Sequence, residues 1–241
     1  MKTIAVIQAR MGSSRLPGKI LKPLGKHDVL TYVVERCKKM KGISEVIVAT
    51  STLPLDDQVE AWCKTKDVSF YRGSEEDVLD RYVQASKPYE PDCVIRVTAD
   101  CPFVDYELAT EMVKTMSQES ADFMSITGKL PRGLAVELFS YKSLQYINEH
   151  GLEHRHREHV TYYAYEHKDE FSWTSVAAGD AIQEPELRIT LDTEEDYELC
   201  KIIADHFNGD LFVPAYEVVR FLKGNPEIAK INAHIEQKPV V

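Results

Sequence analysis

The chain has 241 residues, enough to bury a sizeable core, and its 28% charged and 44% hydrophobic residues with only 11 Gly and 11 Pro exclude disordered, collagen-like and low-complexity proteins. Its 39 acidic residues outnumber 29 Lys and Arg, and the net charge of −10 repels nucleic acid and anionic membranes, so neither is expected as a partner. The exception is the first 27 residues, where Lys2, Arg10, Arg15, Lys19, Lys22 and Lys26 stand with no carboxylate, the local field that a small anionic ligand such as a nucleotide triphosphate needs.

In chain order, residues 3–8 and 45–50 form short β-branched runs, and 93–97 forms a third, as expected of strands covered on both faces. Helical spacing fills the gaps at 29–40, 55–65 and 78–86. Strands alternating with helices predict an α/β fold with a mostly parallel sheet and right-handed crossovers. Ligands gather at the carboxyl ends of such strands, so the loops after Gln8, Thr50 and Val97 are where a site is sought. Further on, 107–116 and 194–207 read as helices, 121–126, 136–139 and 187–191 as extended, and 214–241 as short closing helices with a helix start at Asn225-Pro226. Between 128 and 184 the alternation breaks down, which predicts an excursion from the sheet. No linker interrupts the chain, and 1–241 reads as one domain.

Five cysteines without a C-x-x-C pair predict reduced, mostly buried thiols. The longest early apolar run, 4–7, is too short for a signal peptide core or a membrane span, and a cytoplasmic location is expected.

The loop after the first strand is the most informative segment. Ala9-Arg10-Met11-Gly12-Ser13-Ser14-Arg15-Leu16-Pro17-Gly18-Lys19 fits neither phosphate-loop template: Gly12 and Gly18 are separated by five residues, Ile20 follows Lys19 where a Walker loop needs a hydroxyl, and no G-x-G-x-x-G is present. What remains is a loop whose small residues, Gly12, Ser13 and Ser14, let backbone N–H groups approach phosphates while Arg10, Arg15 and Lys19 neutralise them.

This segment resembles the signature of the CMP-sugar synthetases, the acylneuraminate and CMP-Kdo cytidylyltransferases. Residues 72–82 and 157–161 are similar to its spore-coat polysaccharide biosynthesis protein F branch. The resemblance implies a three-layer Rossmann-like nucleotidyltransferase fold with a mostly parallel mixed sheet, and transfer of CMP from CTP to an acidic sugar with release of pyrophosphate. It implies a nucleotide site of Ala9, Arg10, Gly12, Ser13, Ser14, Arg15, Lys19 and Arg72, with Arg10, Arg15, Lys19 and Asp100 at the reacting phosphate. A homodimer paired through the 128–184 excursion is also implied.

Two aspartates are candidate Mg²⁺ ligands, since that ion takes carboxylate and phosphate oxygens and needs no His or Cys. Asp100 follows the 93–97 strand and sits where the resembled family keeps a metal aspartate. Asp192 precedes Thr193 and Asp196, whose spacing is that of a capping box; the cap leaves Asp192 unexplained, and the resemblance makes it the second ligand. Ser74 and Asp77 read as another capping box, with Asp77 and Arg81 as an i, i+4 pair. The stretch 154–159 holds three histidines without H-E-x-x-H, which points to subunit contact or acceptor recognition rather than zinc. A glycosyltransferase would need a D-x-D motif, and Thr98-Ala99-Asp100 lacks the first Asp. A phosphorylated small molecule as acceptor, or a non-catalytic nucleotide-binding protein, stays open at this level.

Overall fold

The structure, a computed structural model, describes residues 1–236. A seven-stranded sheet forms its centre. Its first four strands, β1 (Thr3–Gln8), β4 (Ile43–Ser51), β5 (Ser69–Gly73) and β6 (Cys93–Thr98), run parallel, β2 (Pro23–Leu24) and β3 (His27–Asp28) being a separate two-residue hairpin. The remaining strands are β7 (Phe123–Thr127), β8 (Glu137–Ser140) and β9 (Trp173–Ala177), and the spatial order is β5-β4-β1-β6-β8-β7-β9. β8 is antiparallel to both its neighbours, and β9 is parallel to β7, giving a mostly parallel mixed sheet.

Period-two alternation divides the strand side chains between two apolar layers. Ala5, Ile7, Val48, Ile95 and Val97 face a layer built with α1 (Val29–Lys39), α4 (Tyr106–Glu119), α8 (Glu194–His206) and α9 (Ala215–Gly224). Ile4, Val6, Ile47, Ala49 and Val94 face the other, with α3 (Val78–Ser86) and α5 (Tyr141–His150). Both faces of the central strands are covered, which is why they read as uninterrupted apolar runs. α2 (Asp57–Lys66) links β4 to β5, and α6 (His154–Glu158), α7 (Tyr162–Glu166) and α10 (Pro226–Ala229) complete the helices used below. All five cysteines are free and buried. No helix among the described residues is long and apolar enough to cross a membrane.

Three expectations need correction. The 128–184 span does not leave the sheet as a whole, because β8 inserts antiparallel beside β6 and β9 forms the far edge. Residues 187–191 make one isolated bridge, Arg132 to Arg188, as an extended stretch can, but join no strand of the sheet. Of the Ser74 capping box only one half forms, the Asp77 N–H donating to Ser74 Oγ at 3.1 Å, and the Asp77–Arg81 pair does not form. Asp77 itself caps α3, accepting from the Asp80 N–H, and Arg81 donates to the Ser74 carbonyl. Of the expected helical tail, 237–241 lies outside the described residues.

Asp77 binds Arg157 instead, eighty positions away, accepting from its Nε at 2.9 Å and Nη2 at 2.6 Å. This fork ties α6 to α3. Asp77→Ala removes a cap and a bidentate pair together, and a loss of roughly 2 to 3 kcal/mol is expected in urea denaturation, the half-exposed position tempering the ion pair. A loss below about 0.5 kcal/mol would show that the fork does not hold α6.

Candidate active site

The loops after β1, β4, β5 and β6 meet along one edge of the sheet. The β1 loop is anchored by Asp56, a buried carboxylate in the β4 loop that accepts from the Met11 N–H at 2.7 Å and from the Ser51 hydroxyl. The N–H groups of Ser13 and Gly18 both turn back to the Met11 carbonyl, at 2.9 and 3.0 Å. Gly18 has φ of 69°, a left-handed conformation that a Cβ would strain, and it turns the chain so that Lys19 points inward. Among the described residues no acceptor faces the N–H groups of Gly12, Ser14 or Arg15, so three donors stay available to an anion.

Lys19 is 8% exposed and is the centre of the constellation. Its ammonium donates to Asp100 Oδ2 at 2.7 Å and to Asp192 Oδ1 at 2.8 Å. Arg15 Nη2 stands 3.2 Å from Asp192 Oδ2, and Arg188 Nη2 donates to the same oxygen at 2.8 Å. Burial works against the Lys19 charge, yet the attraction of Asp100 and Asp192 outweighs it and raises the Lys19 pKa. Asp192 is held below the usual carboxylate range: burial opposes ionisation, and Lys19, Arg15 and Arg188 together overcome it.

Backbone contacts bring the two aspartates together. The Leu191 N–H donates to the Asp100 carbonyl at 2.8 Å, and the Ile189 N–H donates to the Arg132 carbonyl at the same distance. The second contact needs Gly133, whose φ is 100°: a Cβ there would stand 2.7 Å from the Ile189 carbonyl carbon. Thr193 and Asp196 form the expected capping box of α8. Asp196 also receives the Arg188 guanidinium, which the cap alone does not foretell.

The other expected site residues divide. Arg10 lies on the exposed rim with Nη1 3.6 Å from Glu75 Oε1, and Gly12, Ser13 and Ser14 line the loop. Ala9 is buried, and its N–H is spent on the Ala49 carbonyl, extending the sheet. Arg72 is not with Lys19: it sits on β5, bound to Glu60, to Asp57 and to the Ser51 and Leu53 carbonyls. In the histidine stretch, buried His156 pairs with Glu166 at 2.7 Å and Arg157 holds Asp77, while His154 is exposed.

A carboxylate pair converging on one ammonium is a cation position, and hard oxygen donors of this kind suit a divalent ion that draws its other ligands from phosphates. Among the described residues no group of three or more His, Cys, Asp and Glu is placed to hold a metal alone.

A sequence model described as cytidylyltransferase matches residues 4–223. The chain belongs to the cytidylyltransferase family. The spore coat polysaccharide biosynthesis protein SpsF of Bacillus subtilis is 36% identical over 229 residues, covering 93% of this chain and 95% of that protein. A cytidylyltransferase structure from Leptospira borgpetersenii is 31% identical and superposes with a TM-score of 0.87 over 99% of this chain and all of that one. The structure of CMP:2-keto-3-deoxy-manno-octonic acid synthetase complexed with CTP, at 19% identity and TM-score 0.65 over 86% of this chain and all of that one, shares the fold.

In this cytidylyltransferase, sequence reasoning missed Asp56 and Arg188. Arg188 had a signal: period-two alternation along an extended 187–191 puts residues 188, 190 and 192 on one side, where an arginine would face Asp192. Asp56 had none, being one of two adjacent aspartates at the start of a predicted helix.

Proposed function

We propose that the chain transfers CMP from CTP to an acidic sugar, a nonulosonic acid being the first choice, and releases pyrophosphate in the building of a surface or spore-coat polysaccharide. The observation that carries this is the convergence of Lys19, Asp100 and Asp192 beneath a loop with free N–H donors and two further arginines. Family membership, the name of the Bacillus relative and the CTP complex of the shared fold support cytosine and a sugar acceptor.

The chain's part in such a reaction is positioning and charge neutralisation. The loop N–H groups of Gly12, Ser14 and Arg15 and the side chains of Arg10, Arg15 and Lys19 would bind the triphosphate oxygens and disperse charge as the acceptor oxygen bonds to the α-phosphorus and the bond to the leaving pyrophosphate breaks. Asp100 and Asp192 would hold Mg²⁺, which when bound neutralises phosphate charge. The attacking oxygen of a sugar acid is a hydroxyl rather than its carboxylate, so its proton passes to a base or to solvent as the bond to phosphorus forms; only an acceptor whose attacking oxygen is already ionised needs no general base.

Pyrophosphate release measured with each of the four nucleoside triphosphates against a panel of acidic and phosphorylated sugars tests the proposal. Release with CTP and an acidic sugar alone is expected. Release only with a phosphorylated acceptor would revise the substrate, and stoichiometric CTP binding without release from any acceptor would overturn the enzyme reading.

Two copies pairing through the helical span after β8 is part of the same proposal. Leu152 there is 78% exposed, with Tyr146 and Tyr165 also exposed nearby in sequence. Light scattering at micromolar concentration is expected to give twice the chain mass of 27.5 kDa, and Leu152→Asp to halve it; a wild-type mass of one chain contradicts pairing.

A further inference from the structure

The Asp192 carboxylate is held from behind by a buried network that ends in the last described segment of the chain. Arg188 binds Asp192 Oδ2 through Nη2 and binds Asp196 through Nε at 2.9 Å and Nη2 at 3.2 Å. Asp196 is fully buried, and its Oδ2 also accepts the N–H groups of Asp192 at 2.9 Å and Thr193 at 3.1 Å. Behind both lies Asn232, 1% exposed, whose Nδ2 donates to Asp196 Oδ1 at 2.7 Å and to the Arg188 carbonyl at 3.0 Å.

One amide thus grips Arg188 at both ends, its main chain directly and its guanidinium through Asp196. Both atoms facing Nδ2 are acceptors, so the amide has only one workable orientation. Its own Oδ1 is buried with no hydrogen-bond partner among the described residues. Packing alone would be served as well by an apolar side chain, without an unpaired carbonyl. Asn232 also lies beyond residue 223, where the family match ends.

We propose that Asn232 is a positioning residue for the phosphate and cation centre: it locks the Arg188–Asp196 pair and thereby fixes the Asp192 carboxylate against Lys19 and Arg15. This rests on the nucleotidyl-transfer reading of the site. Loosening the lock lets 187–191 shift and Asp192 turn, so the centre loses affinity for a divalent ion carried by the nucleotide, while the loop contacts to the nucleotide persist.

The test uses the full-length chain with Asn232→Ala and Asn232→Ser, and Asp192→Asn as the reference for loss of the carboxylate. Mn²⁺ binding in the presence of CTP is followed by electron paramagnetic resonance, well below the melting temperature of each variant, with kcat and KM for CTP measured at limiting and saturating Mg²⁺. Asn232→Ala is expected to raise the half-saturating Mn²⁺ about tenfold, the size seen when outer partners of metal ligands are removed. Its kcat should fall at limiting Mg²⁺ and recover largely at saturation. The serine variant, which folds with less volume lost and keeps one donor, should fall between it and the wild type.

Variants that melt earlier but bind Mn²⁺ and respond to Mg²⁺ within twofold of the wild type overturn the positioning role and leave the nucleotidyl-transfer reading intact. A wild-type chain that binds no Mn²⁺ with CTP overturns both.

Discussion

Asp100→Asn and Asp192→Asn are each expected to lower CTP-dependent pyrophosphate release on the order of 10²- to 10³-fold, the size lost when one preorganised electrostatic contact at a reacting centre is removed. Asparagine keeps the volume and loses the charge, so the loss reports on electrostatics rather than packing. The two variants should differ in stability. Asp100 meets one cation, Lys19, and its side chain is 24% exposed, so its variant should melt near the wild type. Asp192 meets Lys19, Arg15 and Arg188 with a side chain 15% exposed, and its replacement takes one carboxylate from each, although Lys19 keeps Asp100 and Arg188 keeps Asp196. A loss of about 1 to 3 kcal/mol is expected for Asp192→Asn, since a partly buried hydrogen-bonded charge pair is broken at three contacts. Excess Mg²⁺ should restore part of the rate in both. Near-normal turnover of either variant at limiting Mg²⁺ would remove that residue from the centre.

Arg36→Met is expected to be the most destabilising single change outside the site. Arg36 is fully buried in α1 and forms no ion pair with a carboxylate among the described residues; Nε donates to the Val104 carbonyl at 2.7 Å, Nη1 to those of Leu211 and Val213, both at 2.9 Å, and Nη2 to that of Phe103 at 3.5 Å. Its guanidinium lies 5.0 Å from the Tyr106 ring centre. Burial lowers its pKa to about 10, so it stays charged at neutral pH. Methionine fills much of the space and donates nothing, leaving four carbonyls without this donor, that of Phe103 the most weakly held. Unpaired buried acceptors cost about 1 to 3 kcal/mol each with partial relaxation, so a total of roughly 3 to 5 kcal/mol is expected in urea denaturation. The contacts to Phe103 and Val104 hold the loop that begins just after Asp100, and turnover should fall along with stability. A loss under about 1 kcal/mol would mean that water or neighbouring donors replace the guanidinium.

What the sequence made legible follows from local chemistry. The strands β1, β4 and β6 showed as β-branched runs because both faces are covered, and their carboxyl ends led directly to the loop 9–19 and to Asp100. Asp192 stood out because Thr193 and Asp196 were absorbed by a cap that forms, and its reading as a ligand came from the family resemblance. What stayed hidden depends on partners far along the chain. Asp77 was assigned to its helical neighbour Arg81, but a loop carbonyl takes Arg81 and Arg157 takes Asp77. Lys19 was expected against phosphate; its ammonium lies between two carboxylates that only the folded chain brings together. Asn232 had no local signal at all, because its partners Asp196 and Arg188 stand 36 and 44 positions away. The 128–184 span misled because β8 enters antiparallel between β6 and β7, which breaks the strand–helix alternation without leaving the sheet.

The most direct test of the central claim, that the basic loop and its carboxylate pair receive the triphosphate, is the calorimetric affinity for CTP of the wild type, Arg15→Ala and Lys19→Ala in Mg²⁺ buffer. Each change removes a charge-assisted contact of about 1.5 to 3 kcal/mol, so affinity should fall roughly 10- to 150-fold in each. CTP affinity unchanged in both variants would contradict the account.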